Sequence, residues 1–220
     1  MNILVIGSAP SFEEVKKKFA SAHACQHAPD YTHAHAHVKT AHVVFDYLLM
    51  NDPEAHAAVY MHVAVPVFVH SVNRSLADAI RGSENVFFGF NGWPGSWERP
   101  FLEVSLRHPA HRAALDQVCH ALGVTPRVVD DRVGLVTPRV ISMIINEAYF
   151  TVQEGTASRA DIDQAMQLGT SYPYGPFAWC ARIGIQNVYQ VLEALYHDTH
   201  DERYKVAPLL KKEYLQSQIK

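Results

Sequence analysis

Histidine is the residue type in this chain with the most obvious chemical reach. Nine of its fourteen copies fall between His23 and His70, including the run His33-Ala34-His35-Ala36-His37. On an extended strand the three imidazoles of that run share one face. On a helix His33 and His37 become i, i+4 neighbours, the spacing that chelates zinc. A weak divalent transition-metal site on His33 and His37 is one expectation, and a solvated segment with incidental histidines is the other. A second constellation is the loop Asn91-Gly92-Trp93-Pro94-Gly95-Ser96-Trp97-Glu98-Arg99-Pro100-Phe101. Its tryptophans, Trp93 and Trp97, either stack on a ligand ring such as adenine or plug internal space. The three cysteines, Cys25, Cys119 and Cys180, have neither metal nor redox spacing and are expected to be reduced thiols.

The elements that must position these residues differ between the two halves. Asn2 to Ile6 is an apolar run ending at Gly7, the pattern of a buried parallel strand. Pro10 to Ala20 follows as a helix, with Ser11 as N-cap and Glu14 three residues on. Further strands are expected at Val43 to Leu48, Val65 to Val69, Val86 to Phe90 and Leu102 to Leu106. Helices are expected between them, at Pro53 to Met61, Ser75 to Arg81 and Pro109 to Leu122. Strands alternating with helices predict a mostly parallel sheet covered by helices. Thr125 to Asp130 offers one more strand. Beyond Gly134 the period becomes helical: Pro138 to Glu154, with Val140, Ile144, Ala148 and Val152 as its apolar stripe, then Ser158 to Leu168 closed by Gly169. Pro173, Gly175 and Pro176 make a rigid turn, and helices follow at Ile185 to His197 and Ala207 to Gln216. The expectation is α/β over residues 1–129 and all-α over 130–220.

Composition narrows the function. A net charge of −3 with 19% charged residues argues against a nucleic-acid partner. No apolar run approaches the roughly 18 residues of a membrane span. Met1 leads straight into the first strand without a cationic leader, so the expected compartment is the cytoplasm.

The string Asp131-Arg132-Val133-Gly134-Leu135-Val136, with Arg139 and Asn146-Glu147-Ala148, resembles the start of the helical domain of the 3-hydroxyacyl-CoA dehydrogenase family. The similarity continues through Glu154-Gly155, Asp161-Ile162-Asp163, Met166, Leu168-Gly169 and Pro173-Tyr174-Gly175-Pro176-Phe177. It ends with Ile183-Gly184-Ile185, Arg203-Tyr204 and Pro208-Leu209-Leu210. The resemblance implies a shortened Rossmann-like domain followed by a helical domain that forms a homodimer. It also implies NAD as cofactor and an acyl-CoA held between the domains.

Carried over residue by residue, the resemblance is uneven. Gly7 and Ser8 lie in the phosphate-binding loop, but Ala9 and Phe12 replace its later glycines, and Pro10 removes a backbone donor. Ser71-Val72-Asn73-Arg74-Ser75-Leu76 fills the place of a serine-rich substrate element, with Arg74 where a substrate-contacting serine belongs. Phe88 aligns with the catalytic histidine, and phenylalanine exchanges no proton. Glu103 matches the glutamate that partners that histidine, and Pro138 replaces a substrate asparagine. His70 and His108 are the nearest histidines that could substitute. The expected substrate cleft comprises Ser71, Arg74, Asn91, Trp93 and Trp97. Two functions remain open: a catalytically impaired relative that binds an acyl-CoA-like ligand or a partner, and an active NAD-dependent dehydrogenase with a rebuilt site.

Overall fold

The run Asn2–Ile6 becomes strand β1, and residues Ile3 to Ile6 are fully buried because sheet faces on both sides are covered. The structure, a computed structural model, describes residues 1–53, 57–60, 63–80 and 85–219. It divides into two compact units, Met1–Leu135 and Val136–Lys220. In the first, β1 is followed by α1 (Ala9–Phe19), β2 (Ala24–Ala28), α2 (Tyr31–His37), β3 (Val43–Asp46) and β4 (Val67–His70). Then come α3 (Leu76–Ala79), β5 (Phe87–Phe90), β6 (Phe101–Leu106), α4 (Arg112–Leu122) and β7 (Thr125–Val129). The strands form one sheet in the order β2-β1-β3-β4-β5-β6-β7. All pairs are parallel except β5 with β6. The chain thus builds outward from β1 in both directions, and β1 and β3 meet at a switch point.

Alternation along the strands sends side chains to two separate cores. Ile3, Val5, Val43, Phe45, Phe68, Phe88, Phe90 and Val104 pack beneath α1 and α4, against Val15, Phe19, Leu115 and Val118. Leu4, Ile6, Val44, Val67, Val69 and Phe87 face the other way, against Ala34, Leu49, Tyr60 and Leu76.

Several local expectations are corrected. Helix α1 begins at Ala9 and its N-cap is Ser8, not Ser11; the Ser8 side chain accepts from the Ser11 amide. β2 is a strand beyond those expected from the sequence. The histidine run forms α2, capped by Asp30. Pro109–His111 is a 3-10 turn, and the regular helix starts only at Arg112. The expected helices Pro53 to Met61 and Ser75 to Arg81 lie partly outside the described residues, which retain a 3-10 turn at Ala57–Tyr60 and α3.

The second unit holds α5 (Thr137–Gln153), α6 (Arg159–Thr170), α7 (Pro176–Ile183), α8 (Ile185–Thr199) and α9 (Pro208–Ser217). The Pro-Gly-Pro pattern signals only a turn, yet Pro176 opens α7. The buried stripe of α5 is Pro138, Ser142, Ile145, Asn146, Ala148 and Tyr149. Val140, expected inside, is 49% exposed. α6 runs past Gly169 to a left-handed Ser171. Among the described residues no helix is long and apolar enough to cross a membrane.

Candidate functional site

Strand pairing decides which side chains can meet near the carboxyl ends of β4 and β5. Gly89 pairs with Ser105 and Phe90 with Val104 across the antiparallel β5–β6 contact. Phe88, Phe90 and Val104 therefore point into the core beneath α1 and α4, while Gly89, Ser105 and Glu103 belong to the opposite face. Asn91, whose amide reaches the Glu103 carbonyl at 3.4 Å, continues that second face. Phe88 is thus fully buried and directed away from Glu103. A histidine at position 88 would point into the core. The two positions that share a face with Glu103, Gly89 and Asn91, carry no group that exchanges a proton near neutrality.

On the Glu103 face a small buried polar row crosses three strands. The Ser71 and Ser105 hydroxyls would each lie 2.3 Å from a Cβ placed on Gly89, so only glycine fits between them. Ser71 is 1% exposed, and its Oγ has no hydrogen-bond partner among the described residues. Ser105 Oγ donates to Asp131 Oδ1 at 3.1 Å. The same Asp131 carboxylate accepts from the amides of Leu76 and Ala77 at 2.9 and 2.8 Å. Asp131, the first residue of the string that carried the resemblance, therefore anchors the start of α3. Arg74 turns outward and pairs with Asp78 at 3.1 Å. Asn91 Oδ1 accepts from the Trp93 amide at 3.1 Å.

The other expected residues are distributed differently. Trp93 and Trp97 are 4% and 6% exposed. Trp97 packs edge-on against Phe19 and Phe45 at 5.5 and 5.0 Å. His70 also faces the α1 side: its Nδ1 accepts from the Gly92 amide at 3.0 Å, which leaves the proton on Nε2. Burial pushes this imidazole down to about 4, against an opposing pull from the Phe90 backbone. His70 and Glu103 lie on opposite faces. His108 caps a 3-10 turn, its Nδ1 accepting from the Ala110 amide at 3.2 Å. His33 and His37 are i, i+4 neighbours on α2, and His33 Nδ1 lies 2.8 Å from Asp30 Oδ1. No three His, Cys, Asp or Glu side chains gather as metal ligands among the described residues.

The end of β3 supplies residues that sequence reasoning missed. Asp46 is fully buried and accepts from Tyr60 Oη at 2.6 Å, Tyr31 Oη at 2.8 Å and the amides of Leu48 and Leu49. Burial raises its carboxyl pKa, and these donors oppose the rise. Tyr47 follows, with its Cβ 2.9 Å from a Cβ built on Gly7 and its Cε1 2.6 Å from one built on Gly92. Beside it His27 Nε2 contacts the Gly7 carbonyl at 2.8 Å, and Phe12 stacks on His27 at 4.8 Å. A dinucleotide needs the glycine loop bare so that the pyrophosphate can approach the backbone. Here Gly7 is packed against Tyr47 and its carbonyl is taken by His27, so these residues do not fit NAD in that manner. The sequence signal was an apolar strand ending in Asp-Tyr at the switch point.

Residues 134–219 match the 3-hydroxyacyl-CoA dehydrogenase C-terminal domain. Over its helical unit the chain is therefore similar to 3-hydroxyacyl-CoA dehydrogenases. It is 45% identical over 93 residues to 3-hydroxyadipyl-CoA dehydrogenase of Escherichia coli, a stretch that is 42% of this chain and 20% of that protein. It is 37% identical over 105 residues to a probable 3-hydroxybutyryl-CoA dehydrogenase of Bacillus subtilis, covering 47% of this chain and 37% of that one. The matched stretches therefore span well under two thirds of these relatives. The fold similarity extends further. The structure of (S)-3-hydroxybutyryl-CoA dehydrogenase from Ralstonia eutropha superposes with a TM-score of 0.72 at 19% identity, over 98% of this chain and 94% of that one. The shortened Rossmann-like sheet followed by a helical domain is thus a fold shared with that dehydrogenase structure.

Proposed function

We propose that the protein is a catalytically impaired member of this family that binds an acyl-CoA-like ligand without transferring hydride. The observation that carries the reading is the facing of β5. Phe88 points into the core, and the positions beside Glu103 are Gly89 and Asn91. Oxidising a hydroxyl to a ketone requires a group that takes up the hydroxyl proton, and such a group contributes roughly 10²- to 10⁴-fold in rate. His70, the nearest alternative by sequence, sits on the other face and stays neutral down to about pH 4. The match of the helical unit to the 3-hydroxyacyl-CoA dehydrogenase C-terminal domain supports an acyl-CoA-like ligand.

The reading includes a homodimer formed through the helical unit. Helix α6 has no fully buried residue, and Leu168 on it is 77% exposed, a state that a second copy would relieve. Sedimentation equilibrium measures this directly: a single species at monomer mass across micromolar concentrations overturns the dimer.

The test of the main reading follows NADH consumption with acetoacetyl-CoA beside an active family member. No turnover at high protein concentration, with acyl-CoA recovered from the purified protein, is the expected result. Robust turnover would overturn it and establish an active NAD-dependent dehydrogenase with a rebuilt acid–base group.

A further inference from the structure

Open α/β sheets bind nucleotides in the crevice at the carboxyl ends of their strands, where the strand order reverses. In this sheet that point lies between Ile6 of β1 and Asp46 of β3. The first residue beyond β3 is Tyr47, and its amide donates to the Ile6 carbonyl at 2.9 Å, which brings it across the switch point. From there the ring runs from Gly7 to Gly92: Cβ and Cδ2 crowd the first glycine, and Cε1 crowds the second. The ring is fixed at its far end. Trp97 Nε1 donates to Tyr47 Oη at 2.9 Å, and Trp97 is itself held by Phe19, Phe45 and Phe90. Phe90 meets the Tyr47 ring edge-on at 5.3 Å, and His70 lies 5.7 Å from it. The glycines at positions 7 and 92 are accounted for by this ring.

We propose that Tyr47 is a built-in occupant of the nucleotide crevice, and that it excludes dinucleotides and nucleoside diphosphates from the switch point. The ring substitutes for a ligand: it supplies an aromatic plate above Gly7, anchored by an indole hydrogen bond. Removing it leaves the carboxyl ends of β1 and β3, the Gly7 backbone and the amino end of α1 facing an open space. That arrangement attracts an anionic diphosphate. Exclusion at Tyr47 is independent of the proton-transfer deficit at Phe88. Binding, not turnover, is therefore the readout, and failure here leaves the acyl-CoA reading untouched.

The experiment titrates NADH into the full chain, monitoring energy transfer from tryptophan and competition by ADP-ribose. Wild type and Tyr47→Phe, which keeps the ring, are expected to give no saturable signal at millimolar ligand. Tyr47→Ala is expected to bind saturably, at least about tenfold more tightly than wild type, with ADP-ribose competing. If Tyr47→Ala melts non-cooperatively, Tyr47→Leu replaces it, since leucine keeps contact with Phe90 but does not reach Gly92. Saturable binding by wild type that equals that of the shortened variant overturns the proposal. So does a folded, shortened variant that binds nothing, because the barrier would then lie in Ala9 and Pro10.

Discussion

The polar residues of the helical unit and those at the carboxyl end of the sheet are used in opposite ways. In the helical unit two residues that carried the family resemblance, Asn146 and Asp163, hold backbone groups. Asn146 donates to the Lys205 carbonyl and accepts from the Ala207 amide, both at 2.8 Å. Asp163 accepts from the amides of Phe177 and Ala178 at 2.7 and 3.0 Å, capping α7 from another helix. Gly175 lies so close to Asp163 that an added Cβ would come within 2.4 Å of it. At the sheet end, Phe88, Tyr47, Trp97 and Phe12 serve as packing rings. The difference teaches that sequence resemblance survives where one residue satisfies a particular backbone atom. An apolar sheet core demands only size and alternation.

The comparison breaks most visibly at Asn146. Asn146→Ala orphans a buried amide and a carbonyl, each worth about 1–3 kcal/mol, so chemical denaturation should show a loss of about 4 kcal/mol. Unchanged stability with altered ligand affinity would make Asn146 a binding residue instead. The sheet end offers a pH-dependent counterpart. The His70 imidazole takes up a proton near 6.5 when unfolded and near 4 when folded. Its contribution is therefore complete above pH 6.5 and is lost as pH falls towards 4, by up to about 3 kcal/mol. Urea unfolding across that range should show the slope in wild type and lose it in His70→Phe; an identical slope in both would remove His70 from the account.

Gly89→Ala should cost about 2 kcal/mol by collision with two serine hydroxyls. Much of that loss should return when Ser71 and Ser105 are also alanine, and thermal melts of the triple variant check it. The smallest effect belongs to the α6 cap: Ser158→Ala should lose about 1 kcal/mol, because its side chain accepts from the Asp161 amide. No change there would mean that α6 draws its stability from contacts beyond the single chain.

Much of the architecture was legible because periodicity and punctuation are local. The apolar run at β1 and the helix starts near Pro138 and Ser158 each depend on neighbours within a few residues. The errors had long-range causes. Val140 matched a helical stripe, but the true stripe was set by which face of α5 meets α8 and α9. α2 formed because Asp30 capped it, a choice between strand and helix that the alternating histidines left open.

The sequence by itself determined the α/β-then-α order, the resemblance of the helical unit and the lack of a histidine in the Val86–Asn91 strand segment. These follow from residue type and spacing alone. Only the tertiary structure decided that position 88 faces the core and that Tyr47 lies over Gly7. It also decided that Asp131 belongs with Ser105 and the start of α3. Each of these joins residues distant in the chain through strand register, and a shift of one residue in register reverses every face.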